Sequence, residues 1–380
     1  MFLKYKDKFL SFTLFSFFIL IFLAQILLPD KTYSESERRL LAKAPVFRTE
    51  ELSSGLFMDS CEPYVLDQFP LRDGFRTLKA VFEKYVLCKM DQHEIYEAEG
   101  HLSKMVYPMN ETMLNHASER FENLYQTYLQ PDSWNPYFVI VPDKNYYLAD
   151  SSHHLSISYD ELYAYMQENN AYMKWIDIRD RLYVDDYYQT DTHWKQENLV
   201  EIADYIVYEM TGERKSLSHG LSQSYTSEEL TRPFYGVYHG QSALPHKPDK
   251  IRYLTNETLE NCIVTYMDGQ NNTVAGLYDM EKAMGKDPYE LFLSGTMPII
   301  TIDNPSGKSG RILLMFRDSF GSSLAPLMVS YYDKIILVDI RYISSDLLGN
   351  YISFDKLSKE NTDVLFLYST LLLNDSMSLK

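Results

Sequence analysis

The chain has 380 residues, with 36 Lys and Arg against 53 Asp and Glu, a net charge of −17. A hydrophobic fraction of 45% excludes a mainly disordered chain. The acidic balance argues against nucleic acid, and against a basic patch on cytoplasmic-leaflet lipid, because both need clustered Lys and Arg. The length suits one large domain with extras, or two domains. Cys61, Cys88 and Cys262 lie far apart and form no CxxC, so they make neither a disulfide framework nor a metal-ligand pattern. At most one pair can bridge.

Phe9 to Leu28 runs without a charged residue and consists mostly of Phe, Leu and Ile. As a helix it is ~30 Å long, the thickness of a bilayer core. Lys4, Lys6 and Lys8 precede it, so the positive-inside rule leaves residues 1–8 as a cytoplasmic tail and exports everything after the span. The alternative is a cleaved signal peptide, but QILLP at the end of the run is no small-x-small cleavage site. The expectation is therefore a single-pass anchor over 9–28, a tether over 29–50, and an extracytoplasmic domain over 51–380.

Beyond the tether, Phe75, Leu78, Val81, Phe82, Tyr85 and Val86 fall on one helical stripe within 52–90, which DQFPLRDGFR interrupts with a proline turn. YFVIV at 137–141 reads as a buried strand closed by Pro142-Asp143, and 175–178 as a second short one. After Trp194, the residues Leu199, Ile202, Ala203, Ile206, Val207 and Met210 share a helical face. The polar stretch 212–309 resists assignment, apart from strand-like pieces and a helix expected over 278–292. The pattern then sharpens into strand 312–316, helix 320–332, strand 334–340, a helical stretch and strand 364–368. Strands alternating with helices imply an α/β fold with a doubly wound parallel sheet covered on both faces.

Two constellations can carry chemistry. Ser319, in FRDSFG, follows an apolar strand and opens a helix. That is where open α/β sheets bind ligands and where helical N–H groups can stabilise an oxyanion. A hydroxyl there becomes a nucleophile if a base reaches it; otherwise Asp318 or Ser319 simply caps the helix. Asp191-Thr192-His193-Trp194 leads into the amphipathic helix. A carboxylate two residues before a histidine can fix its tautomer for general-base work, and the helix dipole would favour the neutral imidazole. The competing account makes Asp191 or Thr192 an N-cap and Trp194 a core anchor. Gly307-Lys308-Ser309 is no P-loop, because Ile302 stands where the motif needs glycine. His153-His154 has no carboxylate or thiol cluster at ligand spacing, so no metal and no cofactor is expected.

Together, the N-terminal anchor, DQFPLRD, VPDKNYYL, DTHW, RDSFGSSLAPL, VDIRYI and VLFLY resemble the DHHW family. That family is related to the alginate O-acetylation proteins AlgJ and AlgX, which carry an SGNH-hydrolase-like domain. The resemblance spans about residues 35–370. It implies Ser319 as nucleophile, His193 as general base and Asp191 as its orienting carboxylate. Arg341 and Tyr368, at the ends of the next two strands, would make substrate or oxyanion contacts. The Asp/His pair precedes the serine, as in the AlgJ/AlgX branch, which looks circularly permuted relative to ordinary SGNH hydrolases. DTHW departs from the eponymous DHHW. Arg317 stands where SGNH enzymes have glycine, and FLSGT stands where relatives often read GGN, so no asparagine oxyanion donor is evident. With Arg341, Arg317 would form a small positive spot at the site. The resemblance implies O-acetyl transfer to, or removal from, an exported polysaccharide through an acyl-enzyme. A multi-spanning membrane O-acyltransferase would supply the acetyl group. The alternative is a non-catalytic glycan-binding or assembly protein that kept the fold.

Overall fold

The computed structural model describes residues 2–34, 36–130, 134–213, 225–268 and 271–380. The chain forms two compact units, one holding residues up to His93 together with 239–246, the other holding 94–238 and 247–380.

In the first unit, helix α1 (Phe2–Leu27) contains the apolar run, with Lys6–Leu27 long and apolar enough to cross a membrane. Two further helices, α2 (Leu56–Asp67) and α3 (Arg72–Tyr85), account for the expected periodic stretch. The break at 68–71 contains Pro70, as DQFP demands. Charge holds these pieces together. The Arg39 guanidinium makes two hydrogen bonds to Asp67 (2.8 and 2.5 Å), and Arg72 reaches Glu37 at 2.5 Å.

The second unit is built on an eight-stranded sheet whose strands in chain order are β1 (Tyr137–Val141), β2 (Lys174–Trp175), β3 (Ile263–Asp268), β4 (Asn271–Ala275), β5 (Ile299–Asp303), β6 (Ile312–Arg317), β7 (Lys334–Val338) and β8 (Thr362–Ser369). Their spatial order is β4-β3-β5-β7-β6-β8-β1-β2. The run β7-β6-β8-β1-β2 is parallel throughout, with Phe316 opposite both Val338 and Phe366. These strands are near-continuous apolar runs because helices cover both faces. On one face, Leu313, Met315, Leu365 and Leu367 pack under α7 (Val200–Thr211) and α8 (Phe320–Met328); the helices α4 (Glu111–Leu124) and α6 (Tyr159–Asn169) cover Leu314, Phe316, Val364 and Phe366 on the other. A further helix, α5 (Lys144–Ser152), follows β1.

The expectation of an all-parallel sheet needs correction at one edge, where β5 runs antiparallel to β7, and β3 and β4 form a hairpin added to β5. A hairpin needs no crossover helix, which is why the polar 263–275 segment carries no βαβ signal. The helix expected over 278–292 is also corrected. Only Met280–Ala283 and the 3-10 turn Pro288–Leu291 are helical; Gly285 lies between them, and Asp287 caps the turn that Pro288 opens. Strand 175–178 shrinks to Lys174–Trp175, and helix 320–332 ends at Met328 before a 3-10 turn over 329–331. The stretch between β7 and β8 holds two 3-10 turns, Ser345–Asn350 and Phe354–Lys356.

Candidate active site

The site lies at the carboxyl end of β6, in the parallel part of the sheet. After Arg317 the chain turns at Asp318, whose Oδ1 accepts the Phe320 N–H (3.0 Å) and whose Oδ2 accepts the Ser369 N–H (2.8 Å). One buried carboxylate thus ties the ends of β6 and β8 together and caps the turn into α8. Ser319 makes no capping bond. Its hydroxyl, in a partly exposed residue, instead lies 2.8 Å from His193 Nε2.

His193 is held through its other nitrogen. Asp191 Oδ1 lies 2.6 Å from His193 Nδ1 and also accepts the His193 backbone N–H at 3.1 Å. A carboxylate accepts only, so the proton sits on Nδ1 and Nε2 is left to accept from the serine hydroxyl. DTHW does not open the helix as expected. A 3-10 turn over Gln196–Asn198 intervenes, α7 starts at Val200, and neither Asp191 nor Thr192 caps it. The dipole argument for a neutral His193 falls with that expectation.

The loop carrying Asp191 is fixed by groups scattered along the chain. Asp191 Oδ2 accepts the Val237 N–H at 2.8 Å, and the preceding residue has to be glycine. A Cβ on Gly236 would lie 2.3 Å from Asp191 Cβ, well inside any possible contact. The Asp249 carboxylate accepts the N–H groups of Gln189 and Thr190, both at 2.8 Å. From below, the fully buried Lys144 ammonium donates to the carbonyls of Tyr188 (2.9 Å) and Gln189 (3.2 Å). Burial pulls the Lys144 pKa down to about 7, against the attraction of Asp191 and Asp249.

Aromatic rings clamp the imidazole. Tyr289 stacks face to face on His193, with centroids 3.8 Å apart and planes 12° apart, and Phe320 packs against it at 5.2 Å. The Tyr289 hydroxyl lies 2.9 Å from Ser323 Oγ, and burial raises its pKa, which keeps it neutral. Ser323 Oγ also accepts from Trp194 Nε1 (2.9 Å), which donates in addition to the Phe320 carbonyl (3.1 Å). Trp194 is therefore a core anchor, and it bolts the histidine loop to the helix that follows the serine.

The remaining expected residues are arranged differently. Arg341 grips Asp339 with two hydrogen bonds (2.9 and 2.6 Å), and Arg317 approaches the same carboxylate at 3.6 Å. Two guanidiniums share the buried Asp339, and the buried Asp318 carboxylate attracts both as well, so the cluster carries no surplus positive charge. Arg317 is closed to solvent, with Nε and Nη2 unpartnered, and burial lowers its pKa. Its stem lies against Gly321, where a Cβ would come within 2.8 Å of Arg317 Cβ. Tyr368 points into the opposite layer, stacked on Phe121 at 4.8 Å, and its buried hydroxyl makes no hydrogen bond. The structure thus brings Asp191, His193 and Ser319 into one hydrogen-bonded chain and gathers Arg317 and Arg341 at Asp339, with the Tyr368 hydroxyl within electrostatic reach of Asp339, Asp318 and both arginines but bonded to none of them. Asp339, Gly236, Val237, Asp249 and Tyr289 carry no local motif. Asp339 lay within view in VDIRYI, while the others act only through contacts across the fold. Among the described residues, no group of three His, Cys, Asp or Glu side chains is placed to hold a metal ion. A hydroxyl, a base poised to take its proton and a buried carboxylate behind the base form an arrangement able to perform nucleophilic acyl transfer.

No family model and no curated relative matches the sequence. Solved structures do share its fold. A DHHW family protein from Eubacterium siraeum is 20% identical with a TM-score of 0.55, over 73% of this chain and 91% of that one. PatB1 of Bacillus cereus is likewise 20% identical with a TM-score of 0.55, over 73% of this chain and 96% of its own, and it has also been solved with a sulfonyl adduct. A looser likeness, with a TM-score of 0.41 at 13% identity over 73% and 90% of the two chains, extends to the O-acetyltransferase domain of Pseudomonas putida AlgJ. The chain is thus a mixed α/β protein whose structural neighbours include a DHHW family protein, PatB1 and AlgJ.

Proposed function

We propose that the chain is a membrane-anchored, serine-dependent O-acetyltransferase or acetylesterase of SGNH type that acts on an exported polysaccharide. The observation that carries this reading is the hydrogen-bonded series Asp191–His193–Ser319, with contacts of 2.6 and 2.8 Å between segments far apart in sequence. Ser319 Oγ attacks the acetyl carbonyl while its proton passes to His193 Nε2, and Asp191 stabilises the imidazolium. The amino end of α8 offers the positive end of its dipole to the developing oxyanion. Collapse expels the donor alcohol, which takes the proton from His193 and leaves an acetyl-serine. His193 then accepts a proton from a sugar hydroxyl or from water, and attack on the acetyl-serine restores the free hydroxyl.

Transferase and esterase share every step up to the acetyl-serine and differ only in the acceptor. The position of the Asp/His pair before the serine in the chain supports a circularly permuted SGNH arrangement. α1 serves as a single-pass anchor with residues 1–8 in the cytoplasm, and a multi-spanning membrane O-acyltransferase supplies the acetyl group from the other side. A net charge of −17 disfavours a dense polyanion, so the acceptor is a neutral or lightly charged glycan. Arg317 and Arg341 share Asp339 and are also attracted by Asp318, which leaves no surplus positive charge to hold an anionic group.

The test is acetate release from a chromogenic acetyl ester by the full chain in detergent or nanodiscs. Ser319→Ala is expected to lower the rate by ~10³–10⁶-fold, leaving the residual that binding and oxyanion contacts supply, with an unchanged melting curve. A sulfonyl fluoride should add one adduct to the wild type and none to the variant. Acetylated glycan as product identifies the transferase, and free acetate the esterase. Equal inertness of both proteins, with glycan binding intact, would establish the binding-protein alternative.

A further inference from the structure

Within the first unit, the buried apolar residues among those described are Leu41, Ala80 and Leu244, whereas the charged groups Glu37 and Asp67 are largely covered. Helix α3 shows this inversion most clearly. Its Arg72 and Arg76 turn toward Glu37, at 2.5 and 3.5 Å. Leu71, just before the helix, together with Phe75, Leu78, Phe82 and Tyr85 recurs at steps of four and three, and all five are exposed, from 39% at Phe75 to 82% at Leu71. An amphipathic helix with Arg and Lys on one side and large apolar groups on the other is the signature of a segment lying in a membrane interface.

A narrow stripe of this kind could also be the seam of a coiled coil. Here, however, exposed apolar groups extend beyond the stripe, to Val65 and Leu66 on α2 and to Leu87 and Met90 after α3. A second helix would cover only the stripe, whereas a lipid surface covers them all. The bilayer also has a defined place in this unit. The carboxyl end of α1 is tied to the last turn of α2, where Gln25 Nε2 donates to the Val65 carbonyl (3.0 Å), the Tyr64 hydroxyl donates to Asp30 (3.0 Å), and the Gln68 side chain pairs with the Lys31 backbone N–H and carbonyl (both 2.9 Å). Val65 and Leu66 therefore sit where the span leaves the hydrocarbon, and α3 starts just after them.

We propose that α3 lies in the plane of the outer leaflet with Phe75, Leu78 and Phe82 in lipid, giving the chain a second attachment to the membrane that α1 crosses. This rests on the reading of α1 as an anchor. The test uses the full chain in proteoliposomes, with Cys61 and Cys88 changed to serine and a fluorophore on single introduced cysteines; Cys262 is buried. Brominated lipid should quench the label several-fold more strongly at Leu78→Cys and Phe82→Cys than at Lys79→Cys and Glu83→Cys. Aqueous iodide should show the reverse order, and Phe18→Cys within the span should be quenched by the lipid alone. Iodide reaching positions 78 and 79 equally would overturn the proposal. So would protection of position 78 from both quenchers, which would mean that a second copy or another protein covers the stripe. Absence of lipid quenching at position 18 would overturn the anchor reading, and the proposal with it, and would be distinguishable from both.

Discussion

In the sheet-bearing unit, Leu314, Phe316, Val364 and Phe366 are closed to solvent, whereas in the unit that begins with α1, Leu71 is 82% and Leu78 64% exposed. The polar groups invert as well. Asp191, Asp318 and Asp339 of the sheet unit are buried, and each is met by specific donors that fix a loop or a strand end. In the first unit, Asp67 and Glu37 meet a set of arginines that holds short helices together in place of an apolar core. Packing at crystal-like density can hold a hydroxyl and an imidazole 2.8 Å apart; an ion-pair scaffold with exposed apolar faces is suited to a surface. On the proposed reading, chemistry belongs to one unit and attachment to the other, and substitutions in each should have separable effects.

The largest expected effect is on the chemistry. Asp191→Asn replaces an acceptor-only group with an amide that can present N–H to His193 and so favours the wrong tautomer. A loss of about 10⁴-fold in turnover is expected by analogy with other triads, with little change in lipid attachment. If turnover falls less than tenfold, Asp191 does not orient the base. Gly236→Ala attacks the same carboxylate sterically. The new methyl would lie 2.4 Å from Asp191 Cα, and accommodating it should cost about 1–3 kcal/mol along with a large part of the activity. An unchanged melting temperature and turnover would show that the loop yields freely.

Both effects depend on residues of unequal visibility in the sequence. β1, β6, β7 and β8 were legible because strands buried on both faces are unbroken apolar runs. α7 was legible because its buried side, Ile202, Ala203, Ile206, Val207 and Met210, keeps helical spacing. Ser319 and His193 stood out because a strand end and a tight Asp-x-His turn are local features. Gly236, Val237 and Asp249 were not legible, because what matters about them is which distant carboxylate or amide they meet. Tyr289 lay inside a false helix. Gly285 and Pro288 break the helix expected over 278–292. The inverted burial of α3 was equally hidden, since a helical stripe reads the same whether a core or a lipid covers it.

Lys144 sharpens the contrast from the stability side. Its folded pKa of about 7 lies below the ordinary 10.5. The unfolded chain therefore binds more protons between those values, and stability rises with pH across that window. The contribution is fully present above 10.5 and is lost as the pH falls to about 7. Buried tyrosines, neutral in the fold, begin to oppose it near their ordinary value of 10. Between pH 7 and 10 the sheet unit should therefore gain stability in denaturant titrations. Lys144→Met should flatten that rise and, at the pH 10 end of the window, cost about 1–3 kcal/mol, because the Tyr188 carbonyl is left buried without its donor. A variant retaining the full rise would assign the pH dependence to other groups.

The smallest effect belongs to the first unit. Arg39 holds the Asp67 carboxyl down at about 2, against an ordinary 3.8, with the Ala42 N–H adding a further bond at 2.9 Å. A depressed carboxylate contributes stability above pH 3.8 that disappears as the pH falls toward 2. Arg39 is 42% exposed, so solvent screens the pair, and Asp67→Asn should cost only about 1 kcal/mol. Because the scaffold is local, that loss should appear as faster hydrogen exchange at the Ala42 amide, with turnover at Ser319 unchanged. Lowering the pH toward 2 should reduce the protection factor of the Ala42 amide in the wild type, and should do so less in the variant, which has no carboxylate to protonate. If Asp67→Asn also lowers turnover, the two units are coupled, and separating attachment from chemistry is wrong at this contact.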